Sequence, residues 1–490
     1  MIPNYLRREF HVLFFTINKK ETRTEEISFN LKISKRAVRE TIKTINEHFE
    51  ELMKITDFVV SSRNGNVKIR EEYWDCAISL AYTLKLLLLK KNIAFNYTIL
   101  LVTRVSLTKK EILEELFISP SYLNKITKKL NIFFSSFDFY ILNENGQYRL
   151  AGNEFNIRLF SCIFLQDSFQ DIEWPFSDVS NASIPSFLPD KLLNTTYSES
   201  STQGQLKDIF FAVLQTRINN KQYLFSPKSK LIQSFFSIIS ENISGLLFRK
   251  DNRFFFLEKV DEICEADYFY FMSLFFIPDI ISKESKINLG QIFIDSKHPF
   301  CFLSREILGV STSIFQKKMS THEQNLFIYY LTLFNALYAL VGESIMDFTK
   351  LFIPPLTYHS DINDEYINEL QKSIAPFNLS KSHNYLLVSL LHVLFISELK
   401  TEIKIYLRMS KDFMAGFFIE RRLKGLFNEN QIIITEDYSV ADIVVTDTLE
   451  RAICDKKVFY LDSISNMDSW RKLLSLIQHS YLDKQMMQKV

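Results

Sequence analysis

Basic and amide side chains recur at helical spacing after two short polar turns, a pattern suited to contacts with a nucleic acid. The stretches ISKRAVRETIKTIN and ISPSYLNKITKKLN each place a serine before the first apolar position of a helix. Arginine pairs bidentately with guanine and asparagine with adenine, whereas lysine suits phosphate contacts. The candidate DNA-contacting residues are Ser34, Lys35, Arg36, Arg39, Lys43, Ser119, Ser121, Tyr122, Asn124, Lys125, Lys128 and Lys129.

The same charges would also suit an ordinary amphipathic helix with a solvated outer face. Ser34 can cap the first of the two helices, and Val38, Ile42 and Ile45 recur on one side of it. The basic residues are then left facing solvent. A single match to a helix-turn-helix pattern is a weak signal. The choice between a solvated face and a DNA-reading helix therefore depends on the surrounding sequence.

That surrounding sequence contains the whole pattern twice. The step from Ser34 to Asn46 equals the step from Ser119 to Asn131, and an Asn-Gly pair follows in each copy, at 64–65 and at 145–146. Such a pair between short alternating runs predicts a β-hairpin with a type I′ turn, because both central positions need positive φ. Each copy is thus predicted to be a winged helix-turn-helix. Further basic residues for backbone contacts fall on the two wings, at Lys68, Arg70 and Arg149.

Composition places the chain among helix-rich globular proteins of several domains. It has 490 residues, 47% of them hydrophobic, with only 10 Gly and 11 Pro, and this length predicts about three to five domains. The net charge of +1 means that any contact with nucleic acid has to come from local basic patches. Five cysteines without a CxxC pair favour a reducing compartment over a disulfide framework, and no signal-peptide pattern occurs.

Motifs for catalysis or metal binding do not occur in the sequence. It has eight histidines, but no HExxH motif and no zinc-type spacing with cysteine. It also has no glycine-rich phosphate loop, no GxSxG and no Walker motif. We therefore expect a protein that is not an enzyme and that uses neither a cofactor nor a metal.

Beyond the repeat, the chain reads as helical domains followed by a small α/β domain. Residues 73–101 are predicted to be helical packing material, and the polar stretch 177–205 a connection. From 206 to 397 long apolar helical patterns follow, and the uncharged segment 324–342 among them is predicted to be a buried core helix although its length could span a bilayer. The last ninety or so residues alternate strands and helices, which predicts a largely parallel sheet.

In order and size these parts resemble the Mga/AtxA type of bacterial virulence regulators, which carry phosphotransferase-system regulation domains (PRDs). The fold class expected from this resemblance is multidomain and mainly α, with two winged helix-turn-helix domains, two all-α PRD-like domains and a small α/β domain similar to enzyme IIB. The predicted boundaries are 1–72 for the first winged helix, 73–165 for the helical connection and second winged helix, 166–285 and 286–398 for the PRD-like domains, and 399–490 for the enzyme-IIB-like domain.

The resemblance implies a cytoplasmic regulator that binds double-stranded DNA. It also implies a homodimer formed through the C-terminal and PRD-like domains, and control by a phosphocarrier protein of the phosphotransferase system acting on PRD histidines. The first PRD-like region holds no histidine, so the candidates for phosphorylation are His383 and His392 in the second. The enzyme-IIB-like part has Ser410 in the loop where enzyme IIB carries its cysteine, and Cys454 lies elsewhere. That domain is therefore expected to bind and not to transfer phosphate.

Three other functions remain open from the sequence. A phosphotransfer carrier or enzyme needs a cysteine or histidine in the IIB-type loop, where Ser410 stands. An RNA-binding antiterminator would share the PRDs, but the winged-helix repeat favours DNA. A membrane-anchored regulator would use the apolar segment 324–342, and solubility without detergent distinguishes it from the others.

Overall fold

The computed structural model describes residues 4–170, 172–177, 179, 202–247, 264–277, 280–314, 319–351, 364–396, 402–409, 415–427, 431–447, 457–461 and 467–487. They fall into two compact units, which are described separately below. The first comprises Met1–Arg305 with Ser320–Thr357, and the second Glu306–Met319 with Tyr358–Val490.

The first head, residues 4–69, is a three-helix unit closed by a small antiparallel sheet of order β1-β3-β2. Its elements are α1 (Asn4–Lys19), β1 (Glu21–Arg23), α2 (Thr24–Leu31), α3 (Lys35–Met53), β2 (Val59–Ser61) and β3 (Asn66–Ile69). Apolar side chains from all three helices meet in one core, in which Phe49 of α3 stacks on Phe58 at 4.1 Å between ring centroids. The helix-turn-helix followed by a hairpin has the form that the sequence predicts.

The second head, residues 93–152, repeats this order. Its elements are α5 (Ile93–Arg104), β4 (Ser106–Thr108), α6 (Lys109–Leu116), α7 (Pro120–Phe134), β5 (Phe139–Glu144) and β6 (Gln147–Gly152). The sheet order is β4-β6-β5, again antiparallel. Helix α4 (Ala77–Lys90) precedes it, so residues 73–101 are largely helical as expected, and α8 (Glu154–Phe169) follows it. Aromatic rings from α7, β5 and α8 pack together at its centre.

The two Asn-Gly pairs form different turns. In the second head Asn145 (φ 51°) and Gly146 (φ 80°) make the two-residue turn that a type I′ geometry requires. In the first head the prediction of a type I′ turn is wrong, because Gly65 (φ 80°) but not Asn64 takes positive φ. There the amide of Gly65 donates to Ser62 O, and the amide of Ser62 donates to Asn66 O. The extra loop residue changes the turn to type I with a glycine bulge.

The described elements between residues 202 and 351 are helices, with short irregular segments between some of them. The helices are α9 (Thr202–Asn219), α10 (Lys230–Leu247), α11 (Glu265–Phe276), α12 (Lys283–Asp295), α13 (Pro299–Ile314), α14 (Thr321–Val341) and α15 (Ile345–Thr349). The predicted connection 177–205 is too long at its end, since α9 already begins at Thr202. Residues 180–201 lie outside the described residues.

The apolar segment 324–342 falls within α14. By length and composition residues 321–349 could cross a membrane, but 56% of the apolar stretch within them is buried inside the protein. Helix α14 begins with a capping box formed by Ser320 and Glu323, and it packs against α12. The approach is so close at Gly290 that a Cβ there would lie 2.0 Å from the carbonyl oxygen of Asn325. This packing is that of a core helix.

A buried network of four charges joins α8 to α9 and α11. The Arg158 guanidinium donates to both carboxylate oxygens of Glu265, at 2.6 and 2.7 Å, and to Glu154 at 3.0 Å. Arg217 on α9 also binds Glu154. Both arginines are at least 99% buried. Because the two positive charges face two negative charges, the network is neutral, as a buried ionic cluster has to be.

The second unit contains the C-terminal α/β domain. Its elements are α16 (Asp364–Ile374), α17 (Lys381–Ile396), β7 (Ile403–Arg408), α18 (Ala415–Leu426), β8 (Ile432–Thr435), β9 (Ile443–Thr446), β10 (Lys457–Tyr460) and α19 (Met467–Met487). The four strands are parallel in the order β10-β9-β7-β8, as predicted. The Trp470 side chain lies in its core. Ser410 and Cys454, the residues on which the enzyme-IIB comparison depends, lie outside the described residues.

Helix α1 carries a buried carboxyl group against α3. Glu9 is 5% exposed, and its Oε2 lies 3.4 Å from Nε2 of His48 without making a hydrogen bond there. Burial raises the pKa of Glu9 to about 7, against a smaller opposing effect of Arg8. Burial also lowers the pKa of His48, with Lys91 acting in the same direction. The pair is therefore most stable where Glu9 keeps its proton.

The Gly290→Ala substitution should destabilise the helical region. The added methyl group collides with the backbone of α14, and overpacking of this kind costs about 1–3 kcal/mol. Gly309→Ala in α13 is the matched control, because its Cβ meets nothing within 4 Å and should be neutral or slightly stabilising. Thermal unfolding of both variants tests this, and equal melting temperatures would contradict the close approach.

The Glu9→Gln substitution should change how stability depends on pH. A folded-state pKa raised above 4.5 means that wild-type stability falls as the pH rises from about 4.5 through about 7. Glutamine cannot ionise, so the variant should gain stability relative to wild type over that range and keep the gain above it. Melting temperatures from about pH 5 to 8 measure this. Glu50→Gln, on the exposed side of α3, is the control and should follow wild type.

Candidate nucleic-acid interface

The sequence around Ser34 fixes the start and the orientation of α3. Its Oγ accepts a hydrogen bond from the amide of Ala37 at 3.1 Å, which caps the helix. Val38, Ile42 and Ile45 are buried. The opposite face is exposed, and the predicted contact residues that it carries are Lys35, Arg36, Arg39 and Lys43.

Helix α7 is positioned in the same way. Ser119 Oγ accepts from the amide of Tyr122 at 3.2 Å, and Pro120 occupies the first helical position, where its missing N–H costs nothing. Leu123, Ile126 and Leu130 are buried. The exposed face carries every remaining predicted contact residue, namely Ser121, Tyr122, Asn124, Lys125, Lys128 and Lys129. The structure thus brings each predicted set together on one helical face.

An asparagine ties each of these helices to its own wing. Asn46 accepts from the Val59 amide at 2.9 Å and donates to its carbonyl at 2.8 Å. Asn131 holds Ile141 in the same two bonds, at 2.6 and 3.2 Å. The repeat of these asparagines is visible in the sequence, but their role is not, because the partner strand follows at a different spacing in each copy. The clamps fix the angle between helix and wing.

Three of the four predicted basic contact residues of α3 form ion pairs with carboxylates. Lys35 contacts Glu25 of α2 at 2.8 Å, and the Arg36–Glu40 pair closes at 2.8 Å. Lys43 lies 3.5 Å from Glu47. Arg39 makes no ion pair with the residues that the structure describes. Sequence reasoning overlooked these acids, although Glu40 and Glu47 stand four residues after their partners, the spacing at which helical ion pairs form.

Helix α7 carries positive charge without such partners. Its sequence PSYLNKITKKLNIFF contains no acidic residue, and within the described chain Lys125, Lys128 and Lys129 form no ion pair. The two heads therefore share a backbone but differ in charge. Exposed ion pairs are individually weak, about 0–1 kcal/mol. Even so, the glutamates of α3 would repel phosphate, whereas nothing on α7 would.

The turn before α7 exposes an apolar side chain that the sequence did not single out. Phe117 takes positive φ (52°) and is 94% exposed. Lys32 occupies the equivalent turn position of the first head, with φ of 53°. Left-handed backbone usually calls for glycine or asparagine, so neither position had a sequence signal. Phe117 adds an apolar surface beside the start of α7.

The basic residues on and beside the wings form ion pairs with nearby carboxylates. Lys68 lies 3.5 Å from Glu71, Arg70 2.9 Å from Glu72, and Arg149 3.1 Å from Glu144. Each of the three basic residues is half-buried. The wings are thus less available for phosphate contact than α7 is.

Of the histidines predicted as phosphorylation candidates, the structure describes the side chain of one. His383 lies in the first turn of α17 and is 7% exposed. His392 lies in the same helix, but its side chain is outside the described residues. His298 is also buried: its Nε2 lies 2.9 Å from Leu231 O, and its Nδ1 accepts from the Phe300 amide, so the ring is held neutral.

The Asn131→Ala substitution should loosen the wing of the second head. It leaves the amide and carbonyl of Ile141 without their partner, which costs about 1–3 kcal/mol. Hydrogen exchange should therefore speed up at the Ile141 amide and its neighbours on β5. Asn124→Ala on the exposed face of α7 is the control and should exchange like wild type. Unchanged protection in the Asn131 variant would contradict the clamp.

Known proteins resemble this chain over part of its length. Residues 79–165 match the Mga helix-turn-helix domain family. The curated "Capsule synthesis positive regulator AcpA" of Bacillus anthracis is 28% identical over 174 residues, which cover 35% of this chain and 34% of the relative. The matched part thus spans about a third of the relative's length. The match covers the second head, most of α4 and most of α8, and the resemblance to Mga/AtxA-type regulators expected from the sequence is confirmed.

Proposed function

We propose that this chain is a transcriptional regulator that binds double-stranded promoter DNA through its two winged helices. The observation that carries the proposal is the acid-free, exposed face of α7 within an Mga helix-turn-helix domain. A regulator acting on DNA would work in the cytoplasm. The name of the AcpA relative, a positive regulator of capsule synthesis, supports a role in virulence gene control.

In this proposal α7 enters the major groove. The second helix of a helix-turn-helix approaches base edges with its N-terminal residues, and in α7 these are Ser121, Tyr122, Asn124 and Lys125. Lys128 and Lys129 lie one turn further along the same face, where they reach phosphates. The amide of Asn124 can pair bidentately with adenine, and the ring of Tyr122 can pack on a thymine methyl group.

The two heads contribute unequally. Lys125, Lys128 and Lys129 are free to replace the counterions of DNA, so the second head supplies most of the salt-dependent affinity. In the first head Lys35, Arg36 and Lys43 must exchange a glutamate for a phosphate or base. The first head therefore adds affinity only at DNA sites where the new phosphate or base contact is stronger than the glutamate ion pair that it replaces.

The regulatory part of the proposal concerns the second unit. Phosphorylation of His383 or His392 by a phosphocarrier protein would add about two negative charges near the start or middle of α17. Because His383 is 7% exposed, that reaction requires α17 to open first. Self-association is supported by large apolar side chains on the α/β domain that remain exposed, namely Phe417, Leu426, Tyr460 and Met467.

A salt series of DNA binding tests the unequal heads. Fluorescence anisotropy with an AT-rich, promoter-length duplex should show steeply salt-dependent binding. Lys128→Ala/Lys129→Ala should reduce the slope of log affinity against log salt by about 1.8, because each lost phosphate contact removes about 0.9. Arg36→Ala/Arg39→Ala should reduce it by about half as much, since Arg36 is already paired.

Two further variants complete this experiment. Lys228→Ala/Lys230→Ala removes the same charge from exposed residues outside both heads and should bind like wild type. Glu40→Gln/Glu47→Gln frees the cations of α3 and should tighten binding. If the α7 variant binds like the Lys228/Lys230 control, the exposed face of α7 does not read DNA and the proposed function is wrong.

A further inference from the structure

A cavity of about 270 Å³ lies within the first unit, between the first head, the second head and α15. The apolar side chains that line it are Phe133, Phe137, Phe164 and Leu351. Close-packed interiors seldom leave voids larger than a water molecule. A dry cavity of about 150 Å³ holds benzene, so this one has room for an aromatic ring and a short chain.

The charged groups around the cavity differ in whether they already have a partner of opposite charge. Asp167 accepts from the buried ammonium of Lys85 at 2.7 Å, and Asp347 pairs with Lys350 at 2.9 Å. Both carboxylates thus already have a cation. Arg7 touches the Lys350 carbonyl at 3.4 Å and forms no ion pair within the described chain. The cavity therefore carries one guanidinium charge that no carboxylate balances.

Ser168 is a second polar residue of the cavity lining without a partner in the described chain. Ser168 lines the cavity and is 4% exposed, and its hydroxyl has no hydrogen-bond partner among the residues that the structure describes. A ligand atom or a water in the cavity would satisfy it.

We propose that this cavity binds a small organic monocarboxylate with an aromatic or hydrocarbon body. The body packs on the three phenylalanine rings, the carboxylate takes the charge-assisted hydrogen bonds of Arg7, and Ser168 provides a further donor. Neither Asp167 nor Asp347 would attract a cation instead, because each is already paired. Helices α1, α7, α8 and α15 all line the site. A bound ligand therefore contacts helices from both heads and affects how the two heads are positioned.

Isothermal titration calorimetry with two matched probes tests the site in the full chain. The probes are 3-phenylpropionate and its neutral analogue 3-phenylpropanamide. Wild type should bind the carboxylate about tenfold more tightly than the amide, because a charge-assisted hydrogen bond is stronger than a neutral one. Arg7→Gln should abolish this preference and leave amide binding unchanged. Arg8→Gln, exposed on the same helix but outside the cavity, should keep the wild-type preference.

A cavity-filling variant separates binding in the cavity from binding at the surface. Ser168→Leu should abolish binding of both probes, with circular dichroism checking that the chain still folds. The proposal is overturned if wild type binds neither probe, or if Arg7→Gln and Arg8→Gln weaken carboxylate binding equally. It also fails if a folded Ser168→Leu variant binds as wild type does. None of these results depends on DNA, so they leave the proposed function to its own test.

Discussion

The buried network of Arg158, Glu265, Glu154 and Arg217 is the constraint on which the placement of the second head depends. Removing charges from water costs several kcal/mol per ion, and this cost is offset only when geometry and hydrogen bonding are nearly complete. Here every oxygen of the two carboxylates accepts a bond, and the Leu224 amide donates to Glu265 as well. Loss of any one member would leave its partner charged and buried. Helices α8, α9 and α11 therefore hold one arrangement, or the network breaks.

Packing contacts and hydrogen bonds connect this arrangement to the proposed DNA-binding face of α7. Helix α8 packs on β5 and β6 of the second head, and the Asn131 clamp ties β5 to α7. A change in the helical region can move α7 only by carrying α8 with it or by breaking these bonds. A ligand shifts such an equilibrium only by the difference in its affinity for the two arrangements. A cavity lined by α7 and α8 lies where a small molecule could have such a difference.

The sequence predicts well those features that a few neighbouring residues determine. Ser34 and Ser119 cap their helices, the apolar positions of α3 and α7 are buried, and four parallel strands follow where the alternation changes. Prediction from the sequence fails where a residue's interaction partner is distant in the chain or where the loop length differs between the two copies. The turn at Asn64–Gly65 has one more loop residue than its counterpart, and no local signal reveals that. Arg158 and Glu265 stand far apart in the chain, as do Arg7 and Ser168, so neither the network nor the cavity could be predicted.

A comparison of the two heads distinguishes the residues that determine the fold from the residues on which the proposed function depends. The two heads agree at caps, buried positions and clamps, and these suffice for the same backbone. They differ on the exposed face, where α3 alternates acids with bases and α7 carries lysines alone. Under the proposed function, the paired cations of the first head would favour DNA sites whose contacts are stronger than those of the glutamates, whereas the free lysines of the second head would bind the phosphates of any duplex in addition to the base contacts of Asn124. Joining the two in one chain would then let the second head supply most of the affinity for DNA while the first head adds discrimination between sequences.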